Sequence, residues 1–179
     1  KYEIIRDPNS LNQTSKIIFP GIGSFSKAMS IIRSNGWYSI LIKKIIYEKK
    51  YFLGICLGMQ LLADFGFEFG KIQGLSIING TVVRIDNIGC KQSIPHIGWN
   101  DVSIKKKSRL FENVKNNTDF YFDHSFSINC VNKEDVIATT CHDVDIVASV
   151  NRDNIFGTQF HPEKSSDGGK QLLYNFLKI

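Results

Sequence analysis

An apolar run, Tyr51-Phe52-Leu53-Gly54-Ile55, leads into Cys56 and then into Leu57-Gly58-Met59-Gln60-Leu61-Leu62. Glycine, cysteine and glycine at alternate positions, between an apolar run and a helix-like apolar pattern, constrain the fold more than any other segment. This is the layout of a nucleophile elbow with cysteine in place of serine: strand, sharp turn, helix. Gly54 and Gly58 leave room for two backbones to cross closely. Cys56 is then held at the turn, where the unpaired amides and positive end of the helix favour thiolate over thiol. The neighbouring amide of Leu57 can face an oxyanion.

About a hundred residues on, Phe156-Gly157-Thr158-Gln159-Phe160-His161-Pro162-Glu163-Lys164-Ser165 supplies a second set of groups. His161 is a candidate general base for Cys56, and Glu163 a candidate to hold the imidazole's other nitrogen. Pro162 restricts Phe160-His161 to extended geometry, as at a strand end. A single cysteine in an apolar run is commonly a small buried hydrophobe, and a single His-Pro-Glu a surface turn. Both motifs in one chain, each after a predicted strand, point instead to a Cys-His-carboxylate triad for acyl transfer.

Charge and cysteine usage narrow the class. The 179 residues fit one domain, and 42% hydrophobic residues suffice for its core. The net charge of +5 could favour phosphorylated metabolites or an acidic partner subunit. Lysines such as Lys105-Lys106-Lys107 read more simply as a solvated loop, and without a nucleic-acid motif no nucleic-acid partner is expected. No apolar run is long enough to span a membrane, and none is expected as a partner. Cys56, Cys90, Cys130 and Cys141 form neither a Cys-x-x-Cys pair nor a zinc-like spacing. We expect a reducing, cytoplasmic setting, three incidental cysteines, and neither metal nor cofactor.

Strand and helix candidates alternate in the first third. Lys16-Phe19 reads as a strand and Phe25 to Asn35 as a helix with Phe25, Ala28, Met29 and Ile32 on one face, ended by Gly36. A second helix runs to about Lys50, the elbow strand covers Phe52-Ile55, and a helix from Leu57 to about Phe65 follows. This βαβ order predicts a largely parallel sheet covered on both faces. The middle is richer in strands, at Gly80-Asp86, Asp101-Ile104, Phe120-Phe126, Val136-Thr140, Ile146-Val150 and Ile155-Phe160. A last helix, about Gly168 to Lys178, carries Leu172, Leu173, Phe176 and Leu177.

Gly-Ile-Cys-Leu-Gly-Met-Gln together with His-Pro-Glu resembles the triad-type, class I glutamine amidotransferases. Pro20-Gly21-Ile22-Gly23-Ser24-Phe25, Pro95-His96-Ile97-Gly98-Trp99-Asn100 and His161-Pro162-Glu163-Lys164-Ser165 narrow the resemblance to the glutaminase subunits of imidazole glycerol phosphate synthase. It extends from about Lys16 to the C-terminus. The fold it implies is a flavodoxin-like three-layer α/β sandwich, with a largely parallel central sheet and additional antiparallel strands. The family starts with a strand and a helix ahead of the segment beginning at Lys1. We therefore expect one amidotransferase domain over 1–179 without that first strand and helix, Tyr2-Arg6 as the second strand, and a longer natural protein.

The resemblance also implies roles. Cys56, His161 and Glu163 hydrolyse glutamine. Leu57 and the Gly21-Ile22-Gly23 loop, where glycines allow positive φ, serve the oxyanion. Gln60, one turn beyond Cys56, Glu68, Ser125 and Phe126 hold the substrate, with the last two acting through backbone groups. Trp99 and Asn100 lie near an interface, and Tyr121 and Lys164 near an ammonia gate. The implied partner is a (β/α)8-barrel synthase subunit in a heterodimer. It uses the ammonia to make imidazole glycerol phosphate and an aminoimidazole carboxamide ribotide in histidine biosynthesis. Asp123 stands where the family has an apolar residue, and Phe126 where tyrosine is frequent. These departures keep open a paralogue that supplies ammonia for amidino groups on surface sugars.

Overall fold

Alternating apolar and turn-forming segments set the element order in the computed structural model, which describes residues 2–179. Strand β1 (Lys16–Gly21) leads to α1 (Phe25–Ser34), to α2 (Trp37–Ile42), which continues as a π-helical turn at Lys43–Tyr47, and to β2 (Tyr51–Cys56). A single helical turn, α3 (Leu57–Gln60), is followed by β3 (Ala63–Gly66), β4 (Ile72–Gln73), β5 (Ile78–Arg84), β6 (His96–Ile104) and β7 (Thr118–His124). Strands β8 (Phe126–Cys130), β9 (Val136–His142), β10 (Val144–Arg152) and β11 (Ile155–Thr158) precede the closing helix α4 (Ser166–Lys178).

Helix α1 starts where the Ser24 hydroxyl accepts the Lys27 amide at 3.2 Å. It buries Phe25, Met29 and Ile32, a stripe at helical spacing. Gly36 follows it with φ 75°, the left-handed conformation favouring glycine after a helix. On α4, Leu172 and Phe176 are buried, Leu173 is half-buried, and Leu177 lies on the solvent side.

Seven strands form the main sheet in the order β1-β2-β11-β10-β9-β6-β7. The parallel character expected of it is confined to β1-β2-β11; the pairs β11-β10, β10-β9, β9-β6 and β6-β7 are antiparallel. The two helices between β1 and β2 allow that pair to run parallel, β11 returns to β2 from the far end of the chain, and short turns join β9 to β10 and β10 to β11 as antiparallel neighbours. A second sheet has the order β4-β3-β5-β8. Strand β2 lies between β1 and β11 and is covered on both faces, which explains its unbroken apolar reading: Phe52 and Leu53 are completely buried, one in each of the two large core clusters.

Three expectations change. Tyr2-Arg6 forms no strand: it joins no ladder among the described residues, and Tyr2 and Ile4 are exposed. The helix after Cys56 ends at Gln60 instead of near Phe65. The Leu61 and Leu62 carbonyls accept the amides of Leu75 and Ile77, each at 2.8 Å, so the chain turns out of the helix into β3. The expected strand Phe120-Phe126 breaks at Ser125, whose carbonyl accepts the Ile85 amide at 3.0 Å; β7 and β8 then belong to different sheets.

The elbow glycines have a steric cause. A Cβ on Gly54 would stand 2.5 Å from the Gly58 carbonyl oxygen, and one on Gly58 would collide with the Phe19 carbonyl oxygen. Neither neighbour can rotate away, because both are backbone. Gly58→Ala is expected to destabilise the fold by about 3 kcal/mol or more, an overpacking cost with no route to relax. Urea unfolding would read it directly, and a midpoint within error of the unaltered chain would contradict the steric account.

Candidate active site

Register places Gly21 opposite Cys56, where parallel β1 and β2 end together. Cys56 has φ 52° and ψ −109°. Few non-glycine residues hold such a conformation, and it persists only where the surroundings over-determine it. Here they do: β2 enters at full burial, Gly54 and Gly58 let the next turn fold back against it, and α3 closes with Leu61 N donating to Leu57 O at 2.9 Å. The side chain is 6% exposed, at the top of the sheet.

His161 follows β11 on a short loop pinned to β7. Its amide donates to Tyr121 O at 2.8 Å. The buried Ser165 hydroxyl donates to His161 O at 2.5 Å and accepts the Tyr121 amide at 2.9 Å. Nδ1 of His161 donates to Glu163 Oε1 at 2.7 Å, and the imidazole also hydrogen-bonds the Cys56 thiol. The Cys56 bond, then the Glu163 bond, push the imidazole pKa up from 6.5 to about 9, against an opposing effect of burial. Burial is the largest single effect on the Glu163 carboxylate and raises its pKa, but the His161 hydrogen bond, a backbone hydrogen bond at Glu163 and the charges of His161 and Lys164 together hold it below the usual carboxylate value. The structure thus brings Cys56, His161 and Glu163 into one hydrogen-bonded line.

The remaining expected residues surround this line. Gly23 has φ 99°, whereas Gly21 is needed for space, since a Cβ there would lie 3.2 Å from the Leu57 Cβ. Ile22 between them is 83% exposed. Gln60 is buried under Cys56, its Nε2 donating to Phe126 O at 2.9 Å. Glu68 Oε2 accepts the Phe25 amide at 2.7 Å, so this carboxylate sits on the N-terminus of α1 beside the Gly21–Gly23 loop. The carbonyls of Ser125 and Phe126 already accept protein hydrogen bonds, from Ile85 N and from Gln60 and His124.

On the outer face, Trp99 is 53% exposed and meets Tyr121 edge-on at 6.1 Å between ring centroids. The Lys164 ammonium lies 5.3 Å from the Tyr121 ring centroid. Asn100 is not free to reach outward: its Nδ2 donates to Cys141 O at 2.8 Å and to His96 Nε2 at 3.2 Å, and its Oδ1 accepts the Asp101 amide. Asp123 is exposed on β7, offering its backbone carbonyl to the Cys56 thiol at 4.0 Å.

Sequence reasoning overlooked three features. Gln159, fully buried, donates from Nε2 to Cys56 Sγ at 3.5 Å. Ser165 ties the His161 loop to β7, and His96 and His124 form a buried pair at 3.0 Å. The signal for Gln159 was available: an uncharged polar residue inside the apolar run Ile155-Phe160 has to be satisfied. Among the described residues no group of three His, Cys, Asp or Glu side chains is placed to hold a metal ion, and no helix is long and apolar enough to cross a membrane.

Comparison with known proteins settles the family. The profile described as glutamine amidotransferase class-I matches residues 1–179. The chain belongs to the class I glutamine amidotransferases. It is 42% identical over 178 residues to the imidazole glycerol phosphate synthase subunit HisH of Pelagibacter ubique (strain HTCC1062), covering 99% of this chain and 86% of that protein. It is 41% identical over 175 residues to subunit HisH 2 of Methanococcus maripaludis, covering 98% of this chain and 86% of the relative. A solved glutamine amidotransferase superposes with a TM-score of 0.73 at 19% identity over 97% of this chain and 83% of its own, so that likeness concerns the fold. The glutamine amidotransferase of Thermotoga maritima gives 0.66 at 19% identity, over 98% of this chain and 67% of its own.

Proposed function

We propose that this amidotransferase is the glutaminase subunit of an imidazole glycerol phosphate synthase, with Cys56, His161 and Glu163 as its triad. The observation that carries the proposal is the hydrogen-bonded line from Cys56, in its strained conformation, through His161 to Glu163. The 42% identity to HisH subunits supports the choice of synthase.

His161 holds the proton given up by the Cys56 thiol; the thiolate attacks the side-chain amide carbon of glutamine, and the carbonyl π electrons move onto oxygen. That oxygen is received by the Leu57 amide and the Gly21-Ile22-Gly23 loop. His161, protonated at neutral pH, passes its proton to the amide nitrogen; the C–N bond breaks, ammonia leaves and a thioester remains. Water then gives a proton back to His161 as its oxygen attacks the thioester, and glutamate departs as the C–S bond breaks. Glu163 orients the imidazole throughout. Gln60 and Glu68, with backbone groups at Ser125 and Phe126, hold the amino-acid end of the substrate. Glu68 retains a second oxygen for the α-ammonium group.

The partner in this reading is a (β/α)8-barrel synthase subunit docked on the Trp99, Tyr121 and Lys164 face, in the cytoplasm. The exposed Trp99 is a fitting anchor for it. Ammonia leaving Cys56 passes to the barrel rather than to water. The deciding experiment measures glutamate release by the protein alone and with the histidine-pathway barrel and its nucleotide ligand. Strong stimulation by that pair is expected. Hydrolysis without stimulation would separate the triad from this acceptor, and no hydrolysis in either condition would overturn the reading.

Lys164→Ala tests the gate. It removes an exposed cation from the Tyr121 ring and should change stability by no more than about 0.5 kcal/mol. Stimulation by the barrel is expected to drop about tenfold. Unchanged stimulation and unchanged complex affinity would remove Lys164 from the gate.

A further inference from the structure

Two hydrogen-bonded arms converge behind the nucleophile. The inner arm begins at Cys56, whose Sγ accepts from Gln159 Nε2 at 3.5 Å. Gln159 Oε1 accepts from Gln60 Nε2 at 3.0 Å, and the same nitrogen donates to Phe126 O at 2.9 Å. The outer arm reaches that carbonyl from the other side, through His124 Nδ1 at 2.9 Å. A carbonyl only accepts, so His124 carries its hydrogen on Nδ1. Burial, then the neighbouring His96, push the His124 pKa down to about 3, so the ring is neutral and its Nε2 is an acceptor. His96 Nδ1 therefore donates to it at 3.0 Å. His96 is also neutral, its pKa pushed down to about 4 by burial and then by His142, so its Nε2 accepts from Asn100 Nδ2 at 3.2 Å. Each donor direction is thus fixed, and the Phe126 carbonyl has both lone pairs engaged.

We propose that Gln159 is a positioning residue for Cys56: its amide holds the sulfur as a hydrogen-bond acceptor beside His161 and locks Gln60, and the Phe126 carbonyl ties that pair to the His124–His96–Asn100 line under the exposed Trp99 face. The inference rests on Cys56 being the nucleophile. A side chain of this volume with no polar atoms would fill the same space, and an amide buried there is tolerated only because both its ends are bonded. The donor directed at sulfur favours an electron-rich Sγ, and the acceptor directed at Gln60 stops that amide from rotating. Charged groups facing the sulfur are few. His161 faces it from the loop after β11, with Glu163 behind; β7 offers the Asp123 carbonyl and not its carboxylate; α3 brings none. Changes in sulfur reactivity on altering Gln159 can therefore be separated from the titration of His161 by following both.

The test uses the full chain and iodoacetamide as probe. Alkylation is followed across pH on the Cys56 peptide by mass spectrometry, with exposed Cys141 as internal reference. Gln159→Met removes donor and acceptor at similar volume. Relative to Cys141, alkylation of Cys56 at pH 7 is expected to slow about fivefold, and its pH profile to move upward. Glutamine turnover, under whichever of the two conditions above shows it, should lose about tenfold in kcat with a raised KM. A packing role alone would lower the melting temperature and leave the profile in place; that outcome in a folded variant overturns the proposal. If Gln159→Met does not fold, the side-chain NH2 resonances of Gln159 in the unaltered chain decide: they should shift when Cys56 is alkylated, and no shift overturns the proposal. If alkylated Cys56 leaves glutamine turnover intact, it is the nucleophile assignment that fails, and with it the basis for Gln159; the two failures are distinguishable.

Discussion

Cys56→Ala is expected to abolish glutamate release from glutamine, by at least about a thousandfold, while the same complex still makes product from added ammonium salt. The thiol is the group that takes the acyl carbon, and alanine leaves nothing to form the thioester. The fold should survive, because the features holding the elbow are the backbone crossings at Gly54 and Gly58 and the burial of β2, none of which involves the sulfur. Ammonium supplies the product of this subunit directly, so ammonium-driven synthesis isolates the barrel's chemistry from that of the triad. Glutamate release and ammonium-dependent product formation should be measured on one preparation. Loss of both would show that Cys56 also supports the interface, and the division of labour proposed between the subunits would be wrong.

The elbow could be read from sequence because its cause is local and steric. Two backbones cross at Gly54 and Gly58, a Cβ on either would meet backbone oxygen, and the glycine spacing records that constraint. Helix α1 was legible for a similar reason, since Phe25, Met29 and Ile32 face one core at a helical period. What escaped depends on distant partners. The apolar pattern of Leu61, Leu62 and Phe65 suits a longer helix, but the amides of Leu75 and Ile77 take the Leu61 and Leu62 carbonyls and turn the chain into β3. Nothing near Ser125 announces that its carbonyl pairs with Ile85 and splits one apparent strand between two sheets. Parallel order was read from the βαβ start of the chain, and the antiparallel pairing of β10, β9, β6 and β7 replaces it beyond β11. The motif residues of the site could be named in advance. The Gln159 and His96–His124 contacts could not, because each bond in them joins segments more than twenty residues apart.

Glu163→Gln is expected to lower the pH at which His161 loses its proton and to cut kcat/KM roughly a hundredfold, because the imidazole loses its charge partner and keeps at best a neutral amide oxygen as acceptor. The direction follows from linkage. The folded pKa of His161 is raised from 6.5 to about 9, first by the Cys56 hydrogen bond and then by that of Glu163. The native state therefore holds this proton more tightly than the unfolded chain. The resulting stabilisation is complete below about pH 6.5 and is lost as pH rises through about 9. The Glu163 pKa is shifted the other way, so its contribution is present above its unfolded value of 4.5 and is lost as pH falls through the lower folded one. Between those limits the site holds an imidazolium beside the nucleophile, ready to protonate departing ammonia, and hydrolysis should decline on the alkaline side near pH 9. In Glu163→Gln that alkaline limb moves to lower pH. In Cys56→Ala, which removes the first cause of the shift, the His161 midpoint should also fall. NMR titration of the His161 ring in the three proteins, beside the pH profile of kcat/KM for the two that retain Cys56, measures each shift. A His161 midpoint that stays near 9 in both variants would mean that neither partner holds the proton, and the imidazolium mechanism would have to be abandoned.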